Sequence, residues 1–146
     1  MTKRILFVCL GNICRSPTAK GVLRSIAPEI HCDSAGTGGW HVGEPPYGPM
    51  QQAAKKRGYD LSHLSARQFR PNDFGDFDLI IVMDDNNRQA VEQLRPPDSR
   101  TPVKLLSSYL DEPEWDHVPD PYYTQTFDLT LDIIERALAN LKGDLA

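Results

Sequence analysis

The chain has 146 residues, 40% of them apolar and 25% charged, with a formal net charge of −4. That length suits one domain burying roughly two-thirds of its unfolded surface, and the acidic balance argues against nucleic acid or an anionic membrane as main partner. No signal peptide or membrane span is legible, and three cysteines make neither a disulfide framework nor a zinc site, so no metal and a reducing cytoplasm are expected.

In chain order, a buried strand is expected from about Arg4 to Cys9. A helix should follow from about Ser16 to Ala27, with Ser16 as its cap and Pro17 in its first position. Ala19, Val22, Leu23 and Ile26 form its apolar stripe, and Pro28 stops it. Ile30 to Ser34 reads as a shorter strand with an exposed face, and the glycine-rich run from Ala35 to His41 as a loop. Pro45, Pro46 and Pro49 lead into a helix with Met50, Ala53, Ala54 and Arg57 on one face, ended by Gly58. Phe77 to Met83 is the most strand-like run, apolar throughout as parallel strands buried on both faces are. Asp84 and Asp85 should cap a helix turning Ala90, Val91 and Leu94 inward, broken by Pro96 and Pro97. A fourth strand is expected around Val103 to Leu106, then a long acidic loop from Asp111 to Pro121. The last helix carries Phe127, Leu131, Ile134, Leu138 and Leu141, closed by Lys142-Gly143. Strand and helix alternate four times, which predicts an α/β fold: a doubly wound, four-stranded parallel sheet with helices on both faces.

That arrangement puts Cys9 at the carboxyl end of the first strand, facing a helix N-terminus, where open α/β sheets bind ligands and free N–H groups favour an anion. A helix N-terminus and a nearby arginine lower a thiol's pKa, and the thiolate is the nucleophile. The amides of Leu10, Gly11, Asn12, Ile13 and Cys14 can cradle phosphate oxygens, and Arg15 can fork onto two of them. Gly11 and Asn12 tolerate the left-handed backbone such a nest needs. Nucleophile and oxyanion clamp on one loop point to attack on phosphorus through a cysteinyl-phosphate. Cys-x5-Arg alone is a common chance match; the strand before it and the Ser-Pro helix start after it give it weight.

The loop from Cys9 to Ser16 resembles the signature of the low-molecular-weight protein tyrosine phosphatases. Asp33-Ser34-Ala35-Gly36-Thr37, Ala66-Arg67-Gln68, Met83-Asp84 and Asp120-Pro121-Tyr122-Tyr123 match further landmarks in the right order, over essentially the whole chain. The resemblance implies a phosphotyrosine hydrolase without cofactor, with Cys9 as nucleophile, Arg15 as phosphate clamp and Asp120 as general acid and base. On the residues alone, Asp120 reads equally well as a plain helix cap, and the cap is the favoured reading for Asp84. The resemblance has Ser16 donate to the Cys9 thiolate, has Asn12 and Ser34 hold the loop in shape, and makes Trp40, Tyr122 and Tyr123 walls around a phenyl ring. Its partner would be a tyrosine-phosphorylated protein, a tyrosine kinase among the candidates, and the chain itself a monomer or weakly self-associating dimer. One departure stands out: Leu64 occupies the position of a family histidine that steadies Asn12, with His63 one residue earlier. That favours absence of the histidine network over a slip that brings His63 inward.

Two similar activities compete. Arsenate reductase needs further cysteines in the second half, and none lies beyond Cys32. Protein-arginine phosphatases carry threonine where this chain has Ile13, and isoleucine favours a flat aromatic. A catalytically silent phosphate-binding module is disfavoured by the joint presence of Cys9, Arg15 and Asp120.

Overall fold

The computed structural model describes residues 3–111 and 115–145; residues 112–114 of the expected acidic loop lie outside the described part. Strands β1 (Arg4–Cys9), β2 (His31–Gly36), β3 (Leu79–Val82) and β4 (Val103–Leu105) form one parallel sheet in the order β2-β1-β3-β4. Between and after them come α1 (Arg15–Ile26), α2 (Gly48–Lys56), the single-turn α3 (Asp73–Asp76), α4 (Asp85–Gln93), a 3-10 turn (Leu106–Tyr109), the short α5 (Pro121–Thr124) and the long α6 (Phe127–Leu145).

The period-two alternation of β1 explains the layering. Ile5, Phe7 and Cys9 point into a core shared with Val22 and Leu23 of α1 and Ile134 and Leu138 of α6. Leu6 and Val8 point the other way, against Ile80, Val82, Phe69, Phe74 and Val91. Each such side chain contributes about 1.5–3 kcal/mol on burial, which makes the central strands the rigid base of the molecule. A third cluster joins Met50 and Ala54 of α2 to Leu131 of α6 beneath Ile13 and Cys14. Among the described residues, no helix is long and apolar enough to cross a membrane.

Several element ends differ from expectation. β2 runs on through Ala35 and Gly36, which pair with Val8 and Cys9 instead of starting a loop. Glycine is required at 36, because a Cβ there would sit 2.9 Å from the Leu10 carbonyl oxygen and 3.0 Å from the Gly11 carbonyl carbon. Leu94 lies beyond the end of α4 and is exposed, so only Val91 of the expected trio is fully buried. α6 passes through Gly143 to Leu145, and Leu145 packs on the main core. The turns at α3 and 106–109 escaped sequence reading because a single turn has no periodicity.

Candidate active site

Cys9 ends β1 and is 2% exposed. The chain then curls through Asn12, whose φ of +57° is left-handed; Gly11 does not use that conformation. A Cβ at Gly11 would lie 3.0 Å from the edge of the part-exposed His41 ring, a close contact with a side chain and not with backbone. α1 begins at Arg15 with Cys14 in the cap position and no side-chain cap. Ser16 is therefore not the cap that the Ser-Pro pair suggested, and Pro17 falls third, where a missing N–H still costs nothing. Among the described residues, the N–H groups of Gly11 to Arg15 donate to no other backbone or side chain. A ring of free donors at a helix N-terminus is an anion cradle.

Released from capping, the Ser16 hydroxyl sits 2.9 Å from Cys9 Sγ. Asn12 Nδ2 donates to Ser16 Oγ at 2.7 Å, so the one hydroxyl hydrogen is left for Cys9 or for the Ala35 carbonyl at 3.3 Å. Asn12 Oδ1 accepts the Arg67 backbone N–H at 3.0 Å. Arg67 is itself anchored, forking onto the fully buried Asp73 at 3.1 Å through both Nη atoms and reaching Asp33 at 3.2 Å. Asp33 also accepts from Lys20 at 2.9 Å. Leu64 packs in the cluster with Ile13, Cys14 and Met50, while His63 is exposed. Asn12 is thus held without a histidine, by a backbone amide whose own side chain is pinned to two carboxylates. Ser34 is buried, yet among the described residues its hydroxyl bonds nothing in the loop. The neighbouring Ala35 carbonyl is the group that touches the site.

Arg15 reaches across from the first turn of α1, 2% exposed. Its Nη1 donates to Asp84 at 2.7 Å and to the Val118 carbonyl at 3.0 Å, and its Nη2 to Asp120 at 3.4 Å. Burial disfavours its charge, but Cys9, Asp120 and Asp84 together outweigh that and keep the guanidinium protonated. Its buried Nε has no partner among the described residues, a donor left over for an oxyanion. Asp84 caps α4 by accepting from the Asn87 N–H at 2.8 Å. It also orients Arg15, so the plain-cap reading was half of its role.

Asp120 likewise does two things. It is the N-cap of α5, accepting from the Tyr122 N–H at 3.1 Å through one oxygen, and it faces Arg15 with the other. The segment before it is tied to the sheet by the Val118 N–H donating to the Met83 carbonyl at 2.8 Å.

Cys9, Leu10, Gly11, Ile13 and Cys14 floor a cavity of about 250 Å3, walled by Trp40, His41, Asp120, Tyr122 and Tyr123. Trp40 and Tyr123 are 72% and 71% exposed, so the walls stand open to solvent. Asn12, Arg15 and Ser16 lie behind this surface, each buried. Burial, then the charges of Asp120 and Cys9, push the Cys14 thiol far up against the opposing pull of Arg15. Cys14 is thereby a poor nucleophile inside the same loop. Sequence reading missed His41 and the Arg67 anchor: His41 follows Trp40 on an irregular loop, and a backbone amide has no sequence signal.

The family model described as low molecular weight phosphotyrosine protein phosphatase matches residues 4–146. The chain belongs to that family. It is 38% identical to the low molecular weight protein-tyrosine-phosphatase YfkJ of Bacillus subtilis over 97% of this chain and 94% of that one. It is 42% identical to the low molecular weight phosphotyrosine protein phosphatase of Schizosaccharomyces pombe over 84% of each. The crystal structure of YfkJ superposes with a TM-score of 0.93 at 36% identity, covering 99% of this chain and 95% of that one. A Drosophila arginine phosphatase superposes with a TM-score of 0.91 at 30% identity, covering 99% and 98%. As a family member the protein is a protein-tyrosine-phosphatase, a phosphoric monoester hydrolase, and the family acts on phosphoproteins. Its fold is the family's doubly wound sheet with the loop after β1.

Proposed function

We propose that this phosphatase hydrolyses phosphotyrosine monoesters through a cysteinyl-phosphate. Cys9 Sγ attacks phosphorus in line with the departing phenol oxygen, and the loop amides with Arg15 hold the three equatorial oxygens. Asp120 gives its proton to the phenolate as the P–O bond breaks. It then takes a proton from the water that cleaves the S–P bond, releasing phosphate and regenerating the thiolate. Ser16 donates to the thiolate when Cys9 is displaced as leaving group.

One observation carries this reading. Cys9 and Asp120 line one cavity, with an arginine behind it that already contacts Asp120 and holds a free, buried Nε donor. At 3.4 Å the Arg15–Asp120 bond is long, so binding a phosphate exchanges a weak contact for a bidentate one. The test is an acid quench during turnover of a phosphorylated tyrosine peptide, followed by mass spectrometry. Phosphate on Cys9 supports the scheme; phosphate on no cysteine, with turnover intact, overturns it.

Aromatic walls and the apolar floor at Ile13 favour a phenyl ring over a guanidinium, so a tyrosine-phosphorylated protein, such as a tyrosine kinase, is the expected partner. The high likeness to an arginine phosphatase keeps phosphoarginine as the second reading; comparing kcat/KM on matched phosphotyrosine and phosphoarginine peptides decides between them. Arsenate reduction lacks its relay, because the chain's cysteines are Cys9, Cys14 and Cys32 alone. We place the enzyme in the cytoplasm, as one domain and a monomer or weak dimer.

A further inference from the structure

Tyr47 stands at a junction that the catalytic scheme does not use. It occupies the cap position before α2, and its N–H donates to the Ile13 carbonyl of the phosphate loop at 2.8 Å. Its half-buried ring lies against the Tyr122 ring at 5.1 Å and the Phe127 ring at 6.1 Å, tilted in both cases. Tyr122 is the residue whose amide Asp120 accepts, and Phe127 opens α6. One residue therefore touches the floor of the cavity with its backbone and the acid-bearing side with its ring.

α5 needs such a support. It has four residues, of which only Pro121 is buried, and a single turn is not stable by itself. It ends in Gln125 at a left-handed φ of +62°, so its exit offers no continuous helix to hold it. Besides the long Asp120–Arg15 contact and the buried Pro121, the Tyr122 ring ties α5 to the phosphate-loop side. Among the described residues, its ring neighbours outside α5 are Tyr47 and a more distant His41 at 6.2 Å.

We infer that Tyr47 is a positioning residue for Asp120, a strut that fixes α5 against the phosphate loop and keeps the carboxyl over the leaving oxygen. The inference rests on the reading of Asp120 as general acid. Proton donation depends on distance within a hydrogen bond's reach, and an aromatic contact of this kind corresponds to about two- to tenfold in rate.

The experiment measures kcat/KM for aryl phosphates whose phenols span a range of pKa, because kcat/KM reports the steps up to loss of the phenol. The variants are Tyr47→Leu, which keeps apolar bulk, and Tyr47→Phe, each in the parent and in Asp120→Ala. Tyr47→Leu should lose about two- to tenfold with basic phenols and little with nitrophenols. Tyr47→Phe should match the parent, and in Asp120→Ala the leucine should leave the leaving-group slope unchanged. A loss equal across all phenols, no loss at all, or a slope change that persists without Asp120 overturns the strut. If Asp120→Ala alone leaves the parent slope unaltered, the acid assignment falls and the strut with it. A changed slope in Asp120→Ala with none in Tyr47→Leu overturns the strut only.

Discussion

The loop from Cys9 to Ser16 buries every residue except Leu10 and Gly11, whereas α5 across the cavity buries only Pro121. The loop is clamped from below by hydrogen bonds through Ser16, Asn12 and Arg67, which end on the buried carboxylate of Asp73. α5 is held by a capping carboxylate and by ring contacts at a half-exposed edge. The proposed phosphate chemistry accounts for the asymmetry. An oxyanion clamp works by being fixed before the charge develops. A group that must first give and then take a proton needs solvent on one side, and Asp120 has it, with 22% of its side chain exposed.

Removing the proposed nucleophile breaks the comparison outright. Cys9→Ser should lower turnover by about 10⁴-fold or more while inorganic phosphate still binds, since Arg15 and the amides remain. Calorimetry checks the binding, and a serine variant that turns over at even a tenth of the parent rate would move the nucleophile elsewhere. The same loop should alkylate at Cys9 ahead of its neighbours, with phosphate protecting it. Burial pushes Cys32 up to about 11 and Cys14 further, so rapid iodoacetate labelling of either is the contrary result.

On the other side of the cavity, Asp120→Ala should reduce kcat/KM by about 10²–10⁴-fold for phenyl phosphate and much less for 4-nitrophenyl phosphate. Loss of the cap should also lower stability by about 0.5–2 kcal/mol. Equal rate losses for both esters would leave Asp120 as a cap alone.

Smaller effects sharpen the contrast in stiffness. Gly36→Ala pushes a methyl into the loop backbone at Leu10 and Gly11, and overpacking of that kind costs about 1–3 kcal/mol. Denaturant midpoints read the stability, and kcat/KM should fall with it. An alanine at 36 with parent stability would show the loop to be softer than its burial suggests.

The least effect is expected at Asp33, behind the loop. Burial raises its pKa, but the Lys20 ammonium, the Ser34 amide and Arg67 outweigh burial and leave the carboxyl below its ordinary value. A folded-state pKa below the unfolded one stabilises above about pH 3.9, and that contribution disappears as pH falls through the folded value. Asp33→Asn should therefore be less stable than the parent at pH 7 and converge with it under acid. Parallel melting curves from pH 7 to 3 with a constant gap would contradict this.

Much of the architecture was legible because local patterns matched the final environment. β1 reads as a buried strand and ends at the residue expected, and the α6 stripe of Leu131, Ile134, Leu138 and Leu141 is the buried face. The Cys9-to-Ser16 stretch was readable for the same reason, since its donors, glycine and asparagine lie within one loop. Reading failed where the folded backbone, rather than the adjacent residues, set a polar group's partner. Ser16 looks like a cap from its neighbours, but Cys9 and Asn12 claim its hydroxyl. Ser34 looks like a support, but the β2 register presents the Ala35 carbonyl to Ser16 instead.

The sequence by itself determined the sheet, the strand that carries Cys9 and the residue types the chemistry needs, because periodicity and turn chemistry act over a few neighbouring residues. Only the tertiary structure decided that Asp84 and Asp120 converge on Arg15 from 69 and 105 residues away. It alone decided that Asn12 answers to the Arg67 amide where Leu64 stands, and that Tyr47 meets Tyr122. Those contacts depend on how three chain segments cross at the edge of the sheet, and no local pattern encodes a crossing.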